Sequence, residues 1–184
     1  AKNAQKVQLT NIDGDKFLGI LMTENQDKEN EFLYVDFGMD SDEELIENTK
    51  IQVGDMITFK SDYTDLNNER FLAKALDDRL GVYCLLELID QDLEVSNNIY
   101  YVFTSSEEVG CRGAKTITSI MNLDYAFVID VGCAHSEFDR SYKNNRQIGK
   151  GPMIINYDRS MIPNYRFLNE IKTIIKDSNI SYQN

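Results

Sequence analysis

The sequence is poor in histidine, cysteine, proline and positive charge, and each shortage narrows the range of functions. Its 184 residues include one histidine, three cysteines, two prolines and no tryptophan. No apolar run approaches the roughly 20 residues that cross a bilayer, and the N-terminus lacks the basic and apolar regions of a secretory signal. The sequence therefore predicts neither a membrane-spanning protein nor a secreted one.

Acidic residues outnumber basic residues by 31 to 19, which gives a formal net charge of −12. A surface of this sign repels the phosphates of nucleic acids and of anionic lipids. We therefore expect no nucleic-acid partner and no membrane partner. The cysteines, Cys84, Cys111 and Cys133, show no CxxC spacing, which favours reduced thiols and a cytoplasmic location.

Hydrophobic residues make up 42% of the chain, enough for a buried core, and they follow two patterns. In the first part, short apolar runs between polar turns predict strands at 6–10, 17–23, 32–37 and 56–59. Ser41 and Glu44 have the spacing of a capping box, which predicts a short helix before the last of these strands. Residues 1–62 are therefore predicted to form a small β-rich domain.

Residues 63–184 alternate between strand and helix patterns, which predicts part of an α/β domain. The nearly continuous apolar runs 99–105 and 124–131 are typical of strands buried in a mostly parallel sheet. Apolar periodicity predicts helices flanking this sheet at about 80–88, at 113–121 and in a segment with Pro163 near its first turn.

Acidic side chains follow the predicted strands, at the edge where an open parallel sheet binds its ligands. These acids are Asp77, Asp78, Glu107, Glu108 and Asp130. For each acid taken alone, a helix cap or a solvated turn is the favoured explanation. Several carboxylates in one crevice, however, raise one another's pKa unless cations neutralise them. The convergence therefore points to divalent metal ions, and a two-metal site with a neighbouring carboxylate as base would suit hydrolysis.

Three motifs stand in order along the chain: ALDDRLG at 75–81, TSSEEVG with RGA at 104–114, and VIDV at 128–131. In sequence and spacing they resemble the M42 family of dinuclear metallo-aminopeptidases. The segments YVDFG at 34–38 and VGDMITF at 53–59 are similar to the β-barrel-like domain inserted into that family's catalytic fold. GKGP at 149–152, with Asp158 after it, also resembles the family, so the likeness covers almost all of the chain.

The resemblance implies a role for each acid. Asp77 would bridge two metal ions, whereas Glu108 and Asp130 would each bind one of them. Glu107 would be the general base. Two divalent metal ions, with zinc or cobalt favoured, are the implied cofactors.

Two further residues, Asp78 and Arg79, would support the bridging carboxylate through hydrogen bonds, as the resemblance implies. The implied function is removal of N-terminal residues from peptides by a cytoplasmic enzyme that forms a homo-oligomer in the complete protein. Cys111 and Cys133 closely follow proposed site residues, but we expect both to be small buried thiols in the core.

The family also uses one histidine per metal ion, one ahead of the inserted domain and one near the C-terminus, and neither region is present. His135 matches neither position, and we interpret it as a loop histidine, with substrate contact or a substitute ligand as alternatives. The chain is thus expected to be a fragment lacking both ends. A catalytically incomplete assembly module remains an alternative function, as does a glycosidase using Glu107 and Asp130.

Overall fold

The computed structural model describes residues 4–27, 30–134 and 146–184. The chain divides into two compact units, Ala1–Leu76 and Asp77–Asn184. The predicted division into domains at residue 62 stays a prediction.

The first unit is built on a four-stranded antiparallel sheet with the order β3-β2-β1-β4. Its strands are β1 (Gln5–Thr10), β2 (Lys16–Asp27), β3 (Asn30–Asp36) and β4 (Met56–Phe59). All four predicted strands are present, and β2 extends four residues beyond its predicted end. The polar stretch that follows forms a separate hairpin of β5 (Thr64–Leu66) and β6 (Arg70–Leu72).

The buried core of this unit lies along β1, where side chains alternate between the two faces of the sheet. Val7 is 2% exposed and Leu9 is fully buried, and Leu9 pairs with Phe17 on β2 and Ile57 on β4. Asn11, also buried, donates its Nδ2 hydrogen to the Thr49 carbonyl at 2.9 Å. This bond ties the end of β1 to the helix of the same unit.

That helix, α1, spans Asp42–Thr49 and begins as the capping box predicts. The Ser41 hydroxyl oxygen accepts the Glu44 N–H at 3.1 Å. The Glu44 carboxylate reaches back to the N–H of Asp40, one residue before the cap, at 2.9 Å. The polar groups at the start of α1 are therefore satisfied within the segment itself.

The second unit contains α2 (Leu76–Asp90), α3 (Arg112–Ile120) and α4 (Tyr165–Asp177), which confirms the three predicted helices. Pro163 lies near the first turn of α4, as predicted. Asn164 caps α4 by accepting the Phe167 N–H at 3.1 Å, so the proline lies before the cap. Phe167 contacts the rings of Tyr125 and Phe127, with centroid distances of 4.7 and 5.3 Å.

The predicted parallel sheet is not confirmed. Within the described part of the second unit, the segments 99–105 and 124–131 belong to no hydrogen-bonded ladder, and only an isolated parallel bridge joins Met153 to Gln183. The prediction that both runs are buried is wrong, since Phe127 is 67% and Val128 82% exposed. A parallel strand needs neighbours delivered by crossover connections, and no other described strand of this unit lies beside these runs.

Candidate functional site

The site begins at the start of α2, where Asp77 and Asp78 depart from helical geometry. Asp77 has φ −88° and ψ 109°, and Asp78 has φ −115° and ψ 49°. Regular helix therefore begins after this pair. Asp78 Oδ1 accepts the Gly81 N–H at 3.0 Å, the usual geometry of a helix N-cap.

The Asp78 carboxylate lies among other negative charges. Loss of solvent raises its pKa, the hydrogen bond from Gly81 opposes this, and the charges of Asp130 and Asp77 raise the pKa further. The net effect is a pKa above the ordinary value. Asp130 belongs to a different motif, VIDV at 128–131, so charges from two motifs act on Asp78.

The resemblance assigned Asp78 and Arg79 to hydrogen bonds that support Asp77. The hydrogen bond recorded for Asp78 runs instead to the Gly81 backbone. Asp78 is therefore linked to Asp77 through charge and adjacency. The supporting role of Arg79 stays a prediction.

Glu107 and Glu108 lie in a tight turn between the run 99–105 and α3. The Glu107 carbonyl accepts two backbone hydrogen bonds, from Gly110 at 3.0 Å and from Cys111 at 2.9 Å. The Cys111 thiol lies 3.7 Å from Glu107 Oε1, within hydrogen-bonding range for sulfur. One short segment thus holds both the backbone and the carboxylate of Glu107.

Gly113 brings the start of α3 against the end of the run 99–105. Its N–H donates to the Ser105 carbonyl at 3.0 Å, and a Cβ added at Gly113 would lie 2.7 Å from the Ser105 backbone. A side chain at this position would push α3 away. The glycine of the RGA sequence therefore fixes where the Glu107 turn sits relative to Ser105.

Asp130 follows the run 124–129, and its Oδ1 accepts the N–H of the next residue, Val131, at 2.7 Å. Both Asp77 and Asp130 are exposed. Each therefore keeps carboxylate oxygens accessible for a ligand.

The donor chemistry of these acids suits divalent ions, because carboxylate oxygens are ligands that such ions accept. In the parts of the chain that the structure describes, no three His, Cys, Asp or Glu side chains lie close enough to hold one ion. The described acids thus have oxygen atoms of the type that binds divalent ions, but no three of these side chains surround one position. His135 lies outside the described residues.

The expectation that Cys111 and Cys133 are buried core thiols is wrong. Both thiols are exposed, as is that of Cys84. Cys111 is the residue before α3, and Cys133 follows the run 124–131.

Sequence reasoning assigned no role to Gly81. It is buried in the first regular turn of α2, and its amide is the hydrogen-bond partner of Asp78. The signal available in the sequence was a glycine three residues after an acid inside an otherwise apolar helix, a position where glycine is unfavourable.

Asp158 forms a second acidic turn in this unit. Its Oδ1 accepts hydrogen bonds from the Ser160 N–H at 2.6 Å, the Met161 N–H at 2.7 Å and the Ser160 hydroxyl at 3.1 Å. These bonds hold the pKa of Asp158 below its ordinary value. Asp158 is therefore explained as a turn residue whose charge is satisfied locally.

Comparison with known families gives one match over nearly the whole chain. The model of the M42 glutamyl aminopeptidase family matches residues 3–184. A protein of Acetivibrio thermocellus named "Putative aminopeptidase" is 34% identical over 151 residues, which cover 82% of this chain and 44% of that protein. The lysyl aminopeptidase of Pyrococcus furiosus is 32% identical over 122 residues, covering 66% of this chain and 35% of its own length.

Solved structures agree with the sequence matches. A TET aminopeptidase of Thaumarchaeota archaeon SCGC AB-539-E09 superposes with a TM-score of 0.85 at 31% identity, covering 98% of this chain and 54% of its own. A structure described as PhTET1-12s, a dodecamer in the asymmetric unit, gives a TM-score of 0.75 at 28% identity, covering 98% and 55%. The chain thus spans about half the length of these proteins or less. Among the described residues, no helix is long and apolar enough to cross a membrane.

Proposed function

The chain belongs to the M42 glutamyl aminopeptidase family, and on that premise we propose that the complete protein is a metal-dependent aminopeptidase. It would remove N-terminal residues from peptides with a dinuclear metal site and a glutamate as general base. Similarity to proteins named as aminopeptidases supports this reaction class over a glycosidase. Because the matched proteins are about twice as long, the activity is proposed for the complete protein.

The observation that supports the proposal is that charges from two separate motifs act on one carboxylate. Burial raises the pKa of Asp78 most, the hydrogen bond from Gly81 opposes this, and the charges of Asp130 and Asp77 raise the pKa further. Unpaired carboxylates held together cost free energy in the metal-free protein. Divalent cations at this position would remove that cost.

Within the site, Asp77 would bridge two ions, and Glu108 and Asp130 would each bind one. Further ligands, one histidine per ion, would come from parts of the complete protein outside these 184 residues. When bound, the ions would polarise the scissile carbonyl and lower the pKa of water. Zinc or cobalt would suit a mixed carboxylate and imidazole ligand set.

Glu107 would act as the proton shuttle. Its carboxylate would take a proton from the attacking water and return it to the nitrogen of the departing amine. Two backbone hydrogen bonds to its carbonyl and the Cys111 thiol near Oε1 restrict where that carboxylate can lie. A base held in this way loses less conformational freedom on reaching its reactive position.

Several further features belong to the same proposal. The runs 99–105 and 124–131 would be strands of a mostly parallel sheet completed by other parts of the protein. Peptides would be the substrates, and the enzyme would act in the cytoplasm, where exposed thiols stay reduced. A homo-oligomer is supported by similarity to the dodecameric PhTET1-12s structure.

The decisive experiment is Glu107→Gln in the complete protein, assayed with aminoacyl anilides. We expect kcat to fall by about 10²–10⁴-fold, the usual contribution of a general base, because the amide cannot accept a proton. The content of divalent metal, measured after dialysis, should stay at the parent level. Glu47→Gln, the same change on the exposed side of α1, is the matched control. Parent activity in the Glu107 variant would rule out this residue as the base.

A further inference from the structure

Gly81 is crowded by a carboxylate rather than by the core. It donates its N–H to Asp78 Oδ1 at 3.0 Å, from the first regular turn of α2. A Cβ added to Gly81 would lie 2.6 Å from Asp78 Oδ1 and 2.7 Å from its Cγ, and would overlap Oδ2 even more closely. Any side chain at position 81 would therefore displace the Asp78 carboxylate.

Helix capping alone does not require this glycine. In α1 the equivalent amide belongs to Glu44, which carries a full side chain and still donates to the Ser41 cap at 3.1 Å. Glycine is also unfavourable inside a helix when compared with alanine. The absence of a side chain at position 81 thus has a local cost that the capping bond does not explain.

Gly81 allows the Asp78 carboxylate to lie close against α2. Both Asp78 oxygens lie on the Gly81 side, beside a buried residue, and so lose part of their hydration. Asp78 directly follows Asp77, the proposed bridging ligand. The hydrogen bond of Gly81 runs to Asp78, so an effect of Gly81 on that ligand would pass through Asp78.

We propose that Gly81 is a positioning residue: its missing side chain lets the Asp78 carboxylate lie against α2, directly after the proposed ligand Asp77. The packing of Gly81 and Asp78 stands on the geometry alone. Its consequence for metal binding rests on the proposed function, in which Asp77 and Asp130 are ligands. Residues behind metal ligands commonly change metal affinity by about 10–100-fold when they are replaced.

A double-mutant cycle on the complete protein tests the packing without metal. The variants are Gly81→Ala, Asp78→Ala and the double variant, with thermal unfolding of the metal-free proteins as the readout. Gly81→Ala should lower the melting temperature of the parent, because the new methyl group meets the carboxylate. In the Asp78→Ala background the same change should raise it, because alanine favours helix once the carboxylate is gone.

Titration of the same metal-free variants with zinc or cobalt, followed by calorimetry, tests the consequence for the site. Gly81→Ala should weaken metal binding by about tenfold or more, and in the Asp78→Ala background it should weaken binding no further. Cys84→Ala, an exposed position one turn along α2, is the control and should leave binding unchanged.

The outcomes distinguish the positioning role of Gly81 from the proposed metal-dependent function. A melting temperature that shifts equally in both backgrounds would overturn the positioning role, because Gly81 would then act independently of Asp78. Equal losses of metal affinity in both backgrounds would overturn it as well. If the parent protein bound no metal while the melting cycle still reversed sign, the proposed function would fail and the positioning of Asp78 by Gly81 would stand.

Discussion

Helices α1 and α2 both begin on acidic residues, yet the two starts have opposite electrostatics. At α1, Ser41 caps the Glu44 amide, and the Glu44 carboxylate accepts the Asp40 N–H. The pKa of Glu43 lies below its ordinary value, because its carboxylate accepts hydrogen bonds from its own backbone N–H and from Ser41. The acids of this start are stabilised by the segment that carries them.

At the start of α2, the charged form of Asp78 is destabilised. Burial raises the pKa of Asp78, the charges of Asp130 and Asp77 raise it further, and the single hydrogen bond from Gly81 only partly opposes them. Acidic residues in the first turn of a helix therefore do not all indicate the same role. Those of α1 serve the helix dipole and the cap, whereas those of α2 are held together against their mutual repulsion, as is common at functional sites.

The largest effect that separates the two starts is expected from removing one carboxylate from each. In the complete protein, Asp77→Ala removes the proposed bridging ligand. We expect loss of both ions and a fall in kcat/KM of about 100-fold or more, since even residues behind ligands can cost that much. Metal analysis after dialysis and a peptidase assay give the two readouts.

The matched control for that prediction is Asp42→Ala, in the first turn of α1. It should change activity by no more than about twofold, as expected for a surface substitution away from the site. If Asp77→Ala retained both ions, the acids of α2 would be ordinary helix-start acids like those of α1. The proposed difference between the two helix starts would then be wrong.

A smaller effect is expected from removing the two caps in the metal-free protein. Ser41→Ala should lower the free energy of unfolding of the first unit by about 1 kcal/mol, the typical cost of a lost serine cap. Asp78→Ala also removes a cap, but it relieves repulsion with Asp77 and Asp130, so its cost should be smaller. Urea unfolding at neutral pH, with amide exchange to identify the helix concerned, measures both. Equal costs would mean that the Asp78 charge has no effect on stability.

The strands of the first unit were predictable because apolar alternation and polar turns are local signals. Strands β1 and β2 are joined by a short turn, and the alternation that buries Val7 and Leu9 is visible in the sequence. The capping pair Ser41 and Glu44 likewise needs only three residues of sequence. In the second unit the helices were predictable from periodicity, but the pairing of the runs 99–105 and 124–131 was not. Within the described residues neither run lies in a hydrogen-bonded ladder, and a parallel partner reached through a crossover is not specified by the local sequence.

The candidate site stays a prediction. The rule that ligands gather beyond strand ends predicts that Asp78 and Asp130 come together, because both follow apolar runs. After burial, the Asp130 charge contributes to the raised pKa of Asp78. The rule did not anticipate Gly81, whose importance depends on a carboxylate rotamer that no sequence pattern specifies. The expectation that Cys111 lies in the core came from the usual burial of cysteine and was wrong. Burial of a thiol depends on what covers its loop, and the local sequence does not determine that.

The smallest expected effect is a pH response of opposite sign at the two helix starts. Glu43 has a folded pKa below the ordinary 4.5, so its stabilising contribution is present above about that pH and is lost as pH falls through the folded pKa. Asp78 has a folded pKa above the ordinary 3.8, so its ionised form destabilises the fold above the folded pKa, and this cost disappears as pH falls below 3.8. Acidification should therefore loosen the start of α1 while it relieves the start of α2.

Carbon chemical shifts of the two side-chain carboxyls, followed by NMR in the metal-free protein, would give both midpoints directly. Glu43→Gln and Asp78→Asn remove one titration each and so identify the signals. Midpoints displaced in the same direction would contradict the comparison. Displacement in opposite directions would show that two similar acidic sequences differ by what surrounds them. At Glu43 the helix start supplies hydrogen-bond donors, whereas at Asp78 burial and two further carboxylates outweigh one backbone donor.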